Sequence, residues 1–225
     1  PEAFTAKLLQ QLVREKKLGG IVPDPKRGNL TGVYTQNGNS SKVDVFQRRS
    51  IKETVKLRAD GSALVTRTVT LKNPTPPYIG PGPDRMRGYA TRWATNLVIN
   101  LMPKGAKVVQ EPQVQLWRTV ANGKDQDGRT FAKAAVIIPP DGSASLTWKY
   151  VLPRAAVKDG EGWKFTNWVV PQSILQVPTY RLDVQLPKGW QATSDLKLWT
   201  IKGGTASVKV PLDRSYQLGL DLTAG

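Results

Sequence analysis

Many short alternating strands, separated by Gly- and Pro-rich turns, predict a mainly β chain folded as an antiparallel β-sandwich with one N-terminal α-helix. Three observations carry this. Glu53–Pro74, ETVKLRADGSALVTRTVTLKNP, reads as a long β-hairpin about Asp60-Gly61. Clean alternation returns at Asn96–Met102 and Tyr180–Leu186, each closed by Pro-Lys-Gly. Helical spacing of apolar residues is confined to Pro1–Leu18.

In the hairpin, Ile51, Val55 and Leu57 share one parity, and Lys52, Thr54, Lys56 and Arg58 the other. Successive side chains along a strand point to opposite faces, so one face is dry and one wet. The second arm sets Ala63, Val65, Val69 and Leu71 against Thr66, Thr68, Thr70 and Lys72. Arg67 breaks the apolar parity, which places it at a rim or an edge. Asp-Gly between alternating runs is a strong hairpin signal, because Gly accepts the positive φ of the turn. Asn73-Pro74 ends the pairing, since Pro has no amide to donate.

The helix Pro1–Leu18 carries Phe4, Leu8, Leu9, Leu12 and Val13 on one stripe and stops at Gly19-Gly20. Short strands follow at Thr31–Gln36 and Lys42–Arg48, around the turn Asn37–Ser41. Asn39-Ser40-Ser41 matches the glycosylation acceptor pattern. Pro74–Pro83 is too rich in Pro and Gly to join a central strand. Asn96–Met102 is expected to turn Leu97, Ile99 and Leu101 inward. Val114–Val120, Phe131–Ile138, Trp163–Val170, Ser207–Val210 and Tyr216–Leu222 complete the strands.

Two words recur in order. Asp60-Gly61-Ser62-Ala63 returns as Asp141-Gly142-Ser143-Ala144, which reads as a second hairpin, and Pro103-Lys104-Gly105 returns as Pro187-Lys188-Gly189. The sandwich is therefore either immunoglobulin-like or built of two similar β-units, residues 48–125 and 126–225, after a region 1–47 of helix and short strands.

The 225 residues include 33 Lys and Arg against 17 Asp and Glu, a formal charge of +16. Such an excess favours anionic partners: nucleic acid, an acidic membrane surface or an anionic cell-wall polymer. There are no cysteines and no histidines, so disulfides, thiol nucleophiles and imidazole bases are excluded. No Gly-x-Ser-x-Gly elbow or phosphate-binding Gly loop is present. Gly123–Gly128 resembles part of a calcium loop, but Gly and Ala fall where its first and last ligands belong. No catalytic residue, metal ligand or cofactor is assigned. A carboxylate pair for glycoside hydrolysis needs only two acids, which keeps a carbohydrate-active enzyme as an alternative reading.

The binding residues singled out are Arg85, Arg87, Tyr89, Arg92 and Trp93, in RMRGYATRW, where arginine forks interleave with aromatic faces. Lys52, Lys56 and Arg58 join them as cations on the wet face of the hairpin. No RRM-type or helix-turn-helix signature stands out, so specific nucleic-acid recognition is not expected.

Leu30–Arg48, LTGVYTQNGNSSKVDVFQR, resembles a Gram-positive, chiefly actinobacterial family known as domain of unknown function 4012. The matching words are Gly32-Val33, Gln36-Asn37 and Lys42–Phe46, with Phe46 where the family has Tyr, and Thr70–Asn73 further on. The resemblance implies the C-terminal part of a longer, membrane-anchored protein displayed outside the cell, with an α/β region before it. A module without catalytic role at the cell surface, or a protein–protein interaction domain whose charge is incidental, is the expectation. The chain begins at Pro1 without an initiator Met, as expected of a processed or partial chain.

Overall fold

The computed structural model describes residues 29–77, 91–113, 121–125 and 127–224. The expected helix Pro1–Leu18 and strand Val114–Val120 lie outside these residues, as do Arg85, Arg87 and Tyr89. The strands are β1 (Asn29–Asn37), β2 (Arg48–Leu57), β3 (Ala63–Lys72), β4 (Ala94–Lys104), β5 (Lys107–Gln110), β6 (Ala121–Lys124), β7 (Arg129–Ile138) and β8 (Ser143–Leu152). They continue with β9 (Ala156–Asp159), β10 (Gly162–Val170), β11 (Thr179–Gln185), β12 (Gln191–Thr193), β13 (Thr200–Lys202), β14 (Thr205–Pro211) and β15 (Tyr216–Thr223). Lys42–Arg48, expected as a strand, instead holds a 3-10 turn at Val43–Val45 before β2 begins.

One sheet runs β12-β15-β10-β1-β4-β7-β6, with β9 pairing β10; the other runs β13-β14-β11-β2-β3-β8-β5. We call them sheets A and B. They face each other across one core, to which Val33, Val98, Val136 and Leu220 of sheet A and Val55, Val69, Trp148 and Val208 of sheet B belong. The sheets are mixed and not purely antiparallel: β1 pairs β10 in parallel, and β2 pairs β11 in parallel. Sheets of eight and seven strands hold about twice the strands of an immunoglobulin constant-type domain.

The topology repeats with the sheets exchanged. In β3–β8, the set β4-β7-β6 lies in sheet A and β3-β8-β5 in sheet B. In β10–β15, β10-β15-β12 lies in sheet A and β11-β14-β13 in sheet B. The central strands β1 and β2 join the two sets. Strands from 48–125 and from 126–225 therefore interleave in both sheets.

This repeat sorts the recurring words. Pro103-Lys104-Gly105 and Pro187-Lys188-Gly189 occupy equivalent places, at the end of β4 and just after β11. Both form the same turn: Ala106 N–H donates to Pro103 O and Trp190 N–H to Pro187 O, with Gly105 at φ +79 and Gly189 at φ +84. The Asp-Gly words are not equivalent. Asp60-Gly61 closes the β2–β3 hairpin with Gly61 at φ +80. At Asp141-Gly142 the aspartate takes the positive φ, 58°, and the chain passes from β7 in sheet A to β8 in sheet B, so no hairpin forms there. The topological counterpart of Asp60-Gly61 is Asp159-Gly160, the turn between β9 and β10, with Gly160 at φ +60.

Two inward faces differ from expectation. Arg67 keeps the inward parity of β3 and is 1% exposed, far from any rim. It lies opposite Glu53, itself 2% exposed, and the pair bonds at 2.5–2.6 Å. Arg67 also donates to Tyr150 OH at 2.8 Å, to Leu101 O at 3.0 Å and to Asn100 Oδ1, so one guanidinium ties β2, β3 and β8 to β4 in the opposite sheet. Asn167 on β10 makes a second tie by donating to Tyr180 OH of β11 at 2.8 Å. On β4 it is Val98, Asn100 and Met102 that enter the core between the sheets. Leu97, Ile99 and Leu101 carry the opposite parity and turn to the outer face of sheet A.

Candidate functional site

The outer face of sheet B collects the cations. Strand alternation puts Lys52, Lys56 and Arg48 of β2 on this face, because Ile51, Glu53 and Val55 are buried. Register then aligns neighbours across the sheet. Lys52 lies opposite Arg181, and Arg181 opposite Lys209. On its other side Lys52 faces Thr68, which faces Thr147; their hydroxyls bond at 2.9 Å. Two rows toward the hairpin turn, past the row Asp183, Thr54, Thr66 and Lys149, the order is Lys202, Thr205, Gln185, Lys56, Leu64, Val151 and Lys107. At the other end Arg48 faces Lys72. Neighbouring strands lie about 4.8 Å apart and successive rows about 7 Å, so these cations form a lattice and not a random scatter.

Like charges directly opposite each other are unfavourable. Asp183 relieves part of this. It accepts from Arg181 Nε at 3.0 and 3.1 Å and from Ser207 Oγ at 2.8 Å. Lys52 and Lys209 remain exposed on either side of that pair. The remaining positions of β2, β3 and β8 are largely Ser and Thr, namely Ser50, Thr54, Thr66, Thr70 and Ser145. The aromatic residues Trp148, Tyr150 and Tyr180 of this sheet all point into the core. The face therefore offers point charges and hydroxyls, which suit phosphate or carboxylate oxygens, and no aromatic platform on these strands for stacking bases or sugars.

Of the residues expected to bind, the five among the described residues lie at two ends of the sheet. Lys52 and Lys56 lie on the lattice, and Arg58 is exposed where β2 meets its turn. Arg92 sits at the opposite end. It donates to Pro76 O at 3.0 Å and Thr75 O at 2.9 Å, and pairs with Asp141 at 3.5 Å. Asn73, fully buried beside it, donates to Arg92 O, Ile138 O and Pro139 O and clips the ends of β3, β4 and β7 together. Arg92 thus braces a corner of the fold. Trp93 is half-buried, and its carbonyl accepts from Asn39 Nδ2 at 2.7 Å, so the acceptor amide of the glycosylation pattern is already engaged. About 30 Å of strand separates the two ends of β2. Arg48, Lys72, Lys107, Lys149, Arg181, Lys202 and Lys209 complete the lattice; alternation marks Lys107 and Lys209 as wet-face cations, but only the pairing register brings the set together.

Near the calcium-like loop, Asp125 and Asp127 both grip Arg129, Asp125 at 2.7 Å. Burial pushes the Asp125 carboxyl up, but the Arg129 side-chain and backbone donors outweigh it and hold it below its ordinary value. Among the described residues, no group of three or more Asp or Glu is placed to hold a metal ion, and no helix is long and apolar enough to cross a membrane.

No protein-family model matches the chain, and no curated protein sequence does. Solved structures resemble it to different degrees. A candidate nutrient-binding protein of Legionella pneumophila is 12% identical with a TM-score of 0.53, over 88% of this chain and 72% of that one. The M1 zinc metallopeptidase of Deinococcus radiodurans is 14% identical with a TM-score of 0.35, and this chain spans only 43% of its length. At these identities the Legionella likeness is one of fold.

Proposed function

We propose that this chain is a binding module without catalytic role, displayed outside the cell as part of a longer anchored protein of the domain of unknown function 4012 family, and that the outer face of sheet B holds it to an anionic polymer or lipid headgroup surface of the envelope. The observation that carries this is the register of Lys52, Arg181 and Lys209 across three adjacent strands. The excess of +16 supports the sign of the partner. The fold shared with a candidate nutrient-binding protein agrees with a binding role.

A second reading rests on the outer face of sheet A. There Leu101 lies between Gly32 and Phe131, Ile99 between Tyr34 and Lys133, and Leu97 between Gln36 and Ala135. Leu97 and Ile99 are half-buried and Leu101 is 6% exposed, so the part of this face open to another protein surface is the strip of Leu97 and Ile99. The test compares variants for retention on an anionic phosphodiester wall polymer. Lys52→Glu with Lys209→Glu should weaken retention by about tenfold, a loss of about 1.4 kcal/mol, while Ile99→Lys leaves it unchanged. The reverse pattern would favour the protein-contact reading. Retention untouched by the Lys52 and Lys209 changes would overturn the electrostatic one.

A further inference from the structure

Among the described residues, three arginines are buried: Arg49, Arg67 and Arg129. Arg67 has Glu53 as its partner, and Arg129 has Asp125 and Asp127. Arg49 is 5% exposed and has no carboxylate. It leaves the start of β2 in sheet B and reaches across to sheet A. Its Nη1 donates to Gln172 Oε1 at 2.9 Å and to Thr35 Oγ1 at 3.4 Å. Gln172 is fixed in turn, because its amide accepts from Thr35 N–H at 2.8 Å and donates to Thr35 O at 2.7 Å. The guanidinium is therefore held in one orientation.

Among the described residues, its other edge makes no hydrogen bond. Arg49 Nε and Nη2 have no partner. These two atoms form the side-on fork that grips a carboxylate or phosphate with two parallel bonds. Gln47, two residues earlier and also buried, leaves its Nε2 donor without a partner too. Burial lowers the Arg49 pKa to about 10, which still leaves it charged at neutral pH. An uncompensated buried cation with its donors idle is costly, and folds normally supply the missing acceptor.

We propose that the Nε/Nη2 fork of Arg49, with Gln47 Nε2 as a third donor, is a binding site for a single oxyanion, a carboxylate or phosphate group, seated between the sheets at the start of β2. The fork sets the geometry, and the Gln172–Thr35 clamp pre-orders it. The site is separate from the cationic lattice of sheet B, so the two stand or fall independently.

The test titrates the whole chain with inorganic phosphate, dimethyl phosphate and acetate, against sodium chloride at matched ionic strength. The readouts are the Arg49 Nε–H resonance and the thermal midpoint. A saturable shift with at least one oxyanion, absent with chloride, is expected. The tightest of the three identifies the source as free phosphate, a polymer diester or a carboxylate. Arg49→Lys, which keeps the charge but lacks the fork, should bind at least about tenfold more weakly, and Arg49→Met should not respond. Lys52→Glu with Lys209→Glu should leave the response intact. No saturable shift in the wild type, or the same shift in a folded Arg49→Lys or Arg49→Met chain, would overturn the proposal. So would a crystal soaked in phosphate that shows only water at the fork.

Discussion

Glu53 and Arg67 face each other across β2 and β3 in the middle of the core, where charge is expensive to hold. Burial would lower the arginine's pKa, but the Glu53 carboxylate outweighs it and holds the value above the ordinary one. Removing one partner strands the other. Glu53→Ala should cost about 3–5 kcal/mol in urea unfolding, whereas Glu53→Leu with Arg67→Met should cost much less. Equal losses would show that the pair does not act as a unit. Tyr150 and Tyr180 are pushed above the ordinary tyrosine value by the same burial. In the unfolded chain they titrate near pH 10. The folded chain then keeps protons that the unfolded chain releases, so stability is full below about pH 10 and falls as pH rises through it. Arg49 acts with the opposite sign, because its lowered value makes the folded state release a proton first. The two tyrosines should dominate, and denaturant midpoints at about pH 8 and about pH 11 would check the net loss.

At the scale of the element, the β2–β3 hairpin shows how far local chemistry reaches. Its alternation and its Asp-Gly turn are legible in the residues, and the structure follows them, with Ser62 donating to Asp60 from both backbone and hydroxyl at 2.9 and 2.7 Å. What the turn touches is not legible. A Cβ on Gly61 would come within 2.4 Å of the Trp163 ring and 2.7 Å of Ala156 O, whereas one on Gly105 meets nothing. Both glycines have positive φ. Gly105→Ala should therefore cost about 1–2 kcal/mol, and Gly61→Ala about 2–4 kcal/mol, by thermal or urea unfolding. Similar losses would mean that the turn yields freely against β9 and β10. The Asp-Gly words teach the same lesson in reverse. Asp141-Gly142 matches Asp60-Gly61 in letters, yet it carries a crossover between sheets, while the true counterpart Asp159-Gly160 lacks the following Ser-Ala.

For the whole molecule, charge is a property of faces. Arg181 and Lys209 are distant from Lys52 in the chain and adjacent to it only through the parallel β2–β11 and antiparallel β11–β14 pairings. Opposed at strand spacing, they act on a polyanion together. Retention on an anionic polymer should fall steeply between about 0.1 M and about 1 M salt, as the screening length shrinks from about 10 Å to about 3 Å. Binding that is flat over this range would remove the lattice as its cause.

From the residues alone came the strands, most of their dry faces, the Gly-closed turns and the positive sign of the surface, because alternation, φ preference and charge are local properties. Partners in register came from tertiary structure alone. Arg67 looked misplaced in its strand until Glu53 and Asn100 stood opposite it. Leu97, Ile99 and Leu101 alternate as cleanly as a core-facing set, yet alternation says only that two faces differ, and cannot say which one meets the other sheet. The cationic lattice, the sheet-exchanged repeat and the half-partnered Arg49 all depend on which strands lie side by side, a matter of long-range pairing that no short stretch encodes.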